Sequence, residues 1–177
     1  YMDVNPDYGT KADLKRLVTE AHRVGLKVII DIVANHTSWD NVLMKTPAFY
    51  ERDARGQIVS PYDWSDVAAL NYEDPALRTY MHGMLQYWLR EFDLDGFRCD
   101  VSGEVPTDFW EQARRDLEKI KPDIMLLAES HEPELLVNAF DLDYGWPGYH
   151  ALKDAILGNR SARAIRDEWE AERRSYP

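Results

Sequence analysis

Apolar residues first settle into a helical rhythm after Thr10, where Leu14, Leu17, Val18 and Ala21 share one stripe. Thr10 and Asp13 are spaced as a capping pair, and Gly25 is placed to stop the helix. The rhythm then gives way to LKVIIDIVA, a β-branched and nearly continuous apolar run that predicts a parallel strand covered on both faces. Residues 39–73 are polar, aromatic and broken by Pro47, Gly56 and Pro61, which predicts a short inserted subdomain. Asp74 and Pro75 open a helix whose inward positions are Leu77, Met81, Met84, Leu85, Trp88 and Phe92. GFRCD follows as a strand. A helix over 107–121 turns Phe109, Ala113, Leu117 and Ile120 inward, and IMLLAES forms a third buried strand. A short helix near 134–139, a strand at AFDLDYGW and helices near 149–157 and 161–174 complete the pattern.

Strands alternating with helices imply right-handed parallel βαβ units in an α/β fold. Pattern alone leaves a doubly wound sheet and a barrel open. No glycine-rich phosphate motif follows any strand, so a nucleotide-binding sheet has no support. The 177 residues carry 32 acidic against 21 basic side chains, a formal charge of −11 that repels nucleic acid and anionic membrane surfaces. No run approaches the roughly 18 apolar residues of a membrane span. One cysteine, Cys99, excludes an internal disulfide but leaves the compartment open.

The opening YMDVNPDYGT reads as the tail of a loop, so the chain is expected to be a segment of something larger.

The chemistry-bearing residues collect at strand ends. Asn35 and His36 follow the first full strand, Asp100 closes the second and Glu129 closes the third. Parallel strands bring their carboxyl ends to one rim, where active sites of such folds lie. Arg98 and Asp100, two residues apart, share one face of a strand whose Phe97 and Cys99 turn the other way. Two carboxyl groups on adjacent strands suit glycoside cleavage, one attacking the anomeric carbon and the other protonating the departing oxygen. Arg98 would keep Asp100 ionised, and Glu129 beside a second carboxylate would hold its proton more tightly. A metal centre is disfavoured, because only one histidine, His36, falls on this rim. Cys99 reads as a small buried hydrophobe and the acidic run Glu91, Asp93, Asp95 as a solvated turn. Tyr50, Tyr62, Trp64 and Trp146 are aromatic surfaces that could stack on sugars, though packing is the commoner use of such rings.

DIVANHT (31–37), GFRCD (96–100) and the glutamate of LLAES (126–130) resemble three successive signatures of the α-amylase family of glycoside hydrolases. The lead-in DYGTKADLKRLVTEAHRVGLKVI also resembles that family's approach to its third barrel strand. The resemblance implies a (β/α)8 TIM barrel, of which this chain holds about strands 3 to 6, with residues 39–73 as the insertion after the third strand. It implies Asp100 as nucleophile, Glu129 as general acid/base and Arg98 as the residue orienting the nucleophile. His36 would bind the sugar, while Asp31 as a buried carboxylate and Asn35 would support the rim. The implied activity is retaining cleavage or transfer of α-glucosidic bonds in malto-oligosaccharides or related α-glucosides. That chemistry needs no cofactor. Calcium-binding members ligate the ion at the position of Asn35, but Gly103 and Glu104 stand where many amylases have Lys-His, which argues against calcium here.

The family's seventh-strand His-Asp signature has no counterpart after Glu129. The chain therefore reads as an incomplete catalytic barrel over 1–177. The alternative is a catalytically incomplete fragment that only binds carbohydrate or partner segments. Unpaired barrel edges would also favour self-association.

Overall fold

The computed structural model describes residues 1–176. Helix α1 (Lys11–Arg23) starts where the capping pair predicts, with the Thr10 hydroxyl accepting the Asp13 N–H and Asp13 accepting the Thr10 N–H. Gly25 adopts the positive φ of a helix stop, at 79°. Val18 is buried, but Leu17, expected on the inward stripe, is 58% exposed. It lies on the flank of that stripe, where no described element covers it.

Strand β1 (Ile29–Val33) leads into β2 (His36–Ser38), which pairs antiparallel with β3 (Val67–Ala69). This two-stranded ribbon ties the ends of the polar segment together, and two 3₁₀ turns at 42–45 and 47–49 lie within it. Tyr50 packs inside, its hydroxyl sharing a 2.8 Å hydrogen bond with Thr37, so it is core and not a sugar platform. Helix α2 (Pro75–Phe92) is capped by Asp74, which accepts the Ala76 N–H, and all six predicted inward residues are buried. β4 (Gly96–Asp100), α3 (Thr107–Glu118), β5 (Met125–Ala128), α4 (Leu135–Asn138), α5 (Trp146–Ile156) and α6 (Arg163–Ser175) follow. The strand expected at AFDLDYGW is reduced to a single parallel bridge between Leu142 and Leu127. Helix α5 begins before the predicted start, with Pro147 in its first turn supplying a preset φ. Among the described residues, no helix is long and apolar enough to cross a membrane.

The main sheet has the order β1-β4-β5, all parallel, so successive strands are neighbours. Ile32, Phe97, Cys99, Leu126 and Ala128 turn to one face and pack with α2 and α3 in the hydrophobic core. The opposite face carries Asp31, Arg98, Asp100, Leu127 and Glu129 and is only partly covered. The first strand, expected to be covered on both faces, is thus covered on one; no described element packs over Asp31, whose side chain is 57% exposed. Gly96 permits this sheet, because a Cβ there would lie 1.8 Å from the Met125 carbonyl oxygen.

At the amino ends of the strands, Asp95 corrects the expectation of a solvated turn. It is buried and accepts the Val28 N–H at 2.7 Å, Lys27 Nζ at 3.0 Å and Lys121 Nζ at 3.0 Å, with His22 Nε2 at 2.7 Å. Burial alone would raise its pKa, but the Val28, His22 and lysine hydrogen bonds outweigh it and hold the carboxyl well below the usual carboxylate range. A depressed folded pKa means stability that is present above the unfolded value and lost as pH falls below it. Asp95→Asn keeps one acceptor but strands two lysines, and should cost about 2–3 kcal/mol at pH 7. Urea unfolding at pH 7 and at about pH 3.5 checks this: the gap between the two proteins should narrow at the acid pH, and equal stability at pH 7 would contradict it.

Candidate active site

Register puts the site together. Asp31 lies opposite Arg98, Val33 opposite Asp100, and Arg98 opposite Leu127, so Glu129, two residues further on, rises on the same face. The Arg98 guanidinium stands at the centre. Its Nη1 donates to both oxygens of Asp31 at 2.9 Å and to Asp100 Oδ1 at 2.7 Å, and its Nη2 meets Glu129 Oε1 at 2.5 Å. Tyr144 lies beneath it, ring centroid 5.9 Å from Cζ. Burial opposes the Arg98 charge, yet hydrogen bonds to Asp31, Tyr144 and Asp100 prevail and push its pKa above the ordinary guanidinium value. One rigid guanidinium thus holds both rim carboxyl groups, which keeps their contacting oxygens within about 8 Å of each other, an upper limit that admits the spacing of glycosidase carboxylate pairs.

Two features differ from the sequence reading. Arg98 was expected to serve Asp100, but it engages Asp31 and Glu129 as well, because the register stacks all three carboxylates around one side chain. Asp31, expected as a buried carboxylate, is exposed and contributes an ion pair to the open face. Asp31 and Asp100 alone outnumber the Arg98 cation by one formal negative charge, a setting suited to a centre where positive charge develops.

His36 stands in β2 beyond the rim. Its ring meets Trp64 edge-on, centroids 5.6 Å apart, and Asn35 Nδ2 lies 3.4 Å from its Nδ1. No described hydrogen bond joins it to Asp100 or Glu129. Tyr62 packs on Trp64 and its hydroxyl donates to Glu104, so the polar segment reaches across to the turn after Asp100. A cavity of about 270 Å³ opens beside Glu129, lined by Val101, Gly103, Glu104, Ser130, His131, Glu132 and Trp146. Burial, with Glu134 and Glu104 nearby, raises the Glu132 carboxyl above its ordinary pKa. Cys99 faces the core, and burial pushes its thiol pKa up, as befits an inert packing residue.

Asn35 turns its amide to His36, and Arg98 fills the centre of the acidic cluster. Among the described residues no group of three or more His, Cys, Asp or Glu is placed to hold a metal ion. Tyr144, Val101 and Glu132 escaped the sequence reading. Tyr144 and Glu132 follow the third strand, in the stretch where a rim strand hands over to its loop, and that position was the one available signal.

The family described as alpha amylase, catalytic domain, matches residues 1–53 and 45–140. A maltogenic alpha-amylase from Bacillus acidopullulyticus is 32% identical over 172 residues, covering 83% of this chain and 28% of that protein. A cyclomaltodextrinase from Geobacillus thermopakistaniensis is 32% identical, covering 89% of this chain and 29% of that protein. The solved structure of a noncanonic maltogenic alpha-amylase from Thermotoga neapolitana superposes on the whole of this chain and 42% of its own, with a TM-score of 0.93 and 40% identity. The chain spans less than a third of the length of the first two relatives.

Proposed function

Because the chain belongs to the α-amylase catalytic-domain family and is the α/β, parallel-sheet part of a TIM barrel, we propose that it carries the two reacting carboxylates of a retaining α-glycosidase. The observation that carries this reading is the single Arg98 guanidinium holding Asp100 and Glu129 together. We assign β1, β4 and β5 to successive strands beginning with the third, within an incomplete catalytic barrel over 1–177, and residues 39–73 to the inserted subdomain.

In this mechanism Asp100 attacks the anomeric carbon, forming a glycosyl ester as the glycosidic C–O bond breaks, and Glu129 gives its proton to the departing oxygen. Glu129 then takes a proton from water or a sugar hydroxyl, whose oxygen attacks the anomeric carbon and releases Asp100. Arg98 orients Asp100, and its contact with Glu129 must yield to the glycosidic oxygen when substrate enters. His36 binds the reacting sugar; Asp31 and Asn35 support the rim. With Glu129 carrying the proton it delivers, Asp31 and Asp100 against Arg98 leave a formal charge of −1, which favours the oxocarbenium-like transition state. The substrate class is α-linked glucose, as the names of the maltogenic amylase and cyclomaltodextrinase relatives suggest.

The test is made on the longest natural protein that includes this chain. Maltoheptaose should be cleaved, and proton NMR of the first product should show the α-anomer. A β-anomer would reject the retaining route. Saccharide binding in calorimetry without any turnover would favour the alternative, a carbohydrate-binding segment.

A further inference from the structure

Among the described residues, three other than glycine have positive φ: Tyr62, Asp93 and Val101. Asp93 is the left-handed cap of α2, a usual place for a small polar residue. Val101 is another matter. It is β-branched, yet it sits at φ 36° and ψ 48° directly after Asp100, a conformation that branched side chains rarely adopt. A chain that needed only to leave β4 would place glycine or asparagine there.

The left-handed backbone aims the Val101 N–H at Glu129 Oε2, 2.9 Å away on the next strand's end. The turn is fixed from several sides. The Glu129 N–H donates to the Cys99 carbonyl at 3.0 Å, the Glu104 N–H to the Val101 carbonyl at 3.0 Å, and Trp110 Nε1 to the carbonyl of fully buried Ser102 at 3.0 Å. Glu129 Oε1 meets Arg98, whose protons are shared among three carboxylates. Among the described residues, the Val101 amide is therefore the one donor in the site dedicated to Glu129.

We propose that Val101 is a positioning residue whose main-chain N–H sets the carboxyl group of Glu129 relative to Asp100. This rests on Glu129 being the acid/base of the proposed function. Such strain persists where the surroundings over-determine it, and here it is located between the two reacting groups.

The test replaces the Val101 amide by an ester, through the α-hydroxy analogue of valine, in the longest natural protein that includes the chain. Cleavage of maltoheptaose needs a proton delivered to the leaving oxygen, whereas fluoride leaves α-maltosyl fluoride with little such help. The ester should lower the maltoheptaose kcat at least about 20-fold and the fluoride burst less than about threefold. An ester at Val105, whose N–H serves the Ser102 carbonyl, should change both rates alike. Val101→Gly keeps the N–H and fits the backbone, so the ratio of the two rates should stay as in the parent. An unchanged ratio in the Val101 ester, or a shifted ratio in Val101→Gly, would overturn the proposal. If the parent cleaves neither substrate, the glycosidase reading itself fails; if the parent is active and the Val101 ester leaves the ratio of the two rates unchanged, this inference alone fails.

Discussion

Replacing Asp100 by asparagine is expected to lower kcat on malto-oligosaccharides at least about 10³-fold while KM moves by less than about threefold. The amide is nearly isosteric, and its oxygen can still accept from Arg98 Nη1, which lies 2.7 Å from Oδ1. The fold should therefore persist; the side chain is 24% exposed, and loss of one partly solvated ion pair costs about 1 kcal/mol or less. What disappears is the proposed nucleophile. An amide oxygen is a far weaker donor to the anomeric carbon than a carboxylate, and 10³-fold corresponds to about 4 kcal/mol of barrier. Steady-state kinetics on maltoheptaose, with calorimetry to show that the variant still binds, decides the matter. A variant retaining more than about a tenth of the parent rate would remove Asp100 from the nucleophile's role and with it the retaining mechanism.

The sequence made this residue visible because two periodicities coincide. Alternation along GFRCD buries Phe97 and Cys99 and turns Arg98 and Asp100 to the other face, and the helices between strands require their carboxyl ends to share one rim. The grouping of Asp100 with Glu129 follows from those rules, as do the caps of α1 and α2, which depend on neighbours within a few residues.

What stayed hidden depends on register or on strain. Glu129 meets Arg98 because Arg98 pairs with Leu127 and not with the residue before or after it; a shift by one would turn Glu129 to the core face. Asp95 looked like one member of an acidic run, and only the approach of Lys27, Lys121 and the Val28 N–H gives its burial a reason. The left-handed Val101 contradicts the propensity of its own side chain, so no local rule could announce it. These are sites where tertiary contacts override local preference, and two of the three adjoin the carboxylates proposed to react, as expected of a functional rim.

Replacing Arg98 by methionine should be about as damaging as any change short of the nucleophile. The aliphatic stem is roughly conserved, so packing beside Tyr144 can survive, but Asp31, Asp100 and Glu129 lose the cation common to all three. With Arg98 only 19% exposed, the carboxylates would face one another in a partly desolvated site, and stability should fall by about 1–3 kcal/mol after allowing for solvent screening. Turnover should fall further, by about 10²–10³-fold, the scale seen when one preorganised charged donor is removed from a site. Arg98→Lys separates charge from geometry: an ammonium restores the charge but cannot span two carboxyl groups from fixed, coplanar donors. Lysine should therefore recover most of the stability and little of the rate. Urea unfolding and maltoheptaose kinetics on both variants read the two effects independently. If lysine restored the full rate, Arg98 would act as charge alone; if methionine left turnover intact, the guanidinium would be a structural tie, and the case for a reacting pair assembled around it would fall.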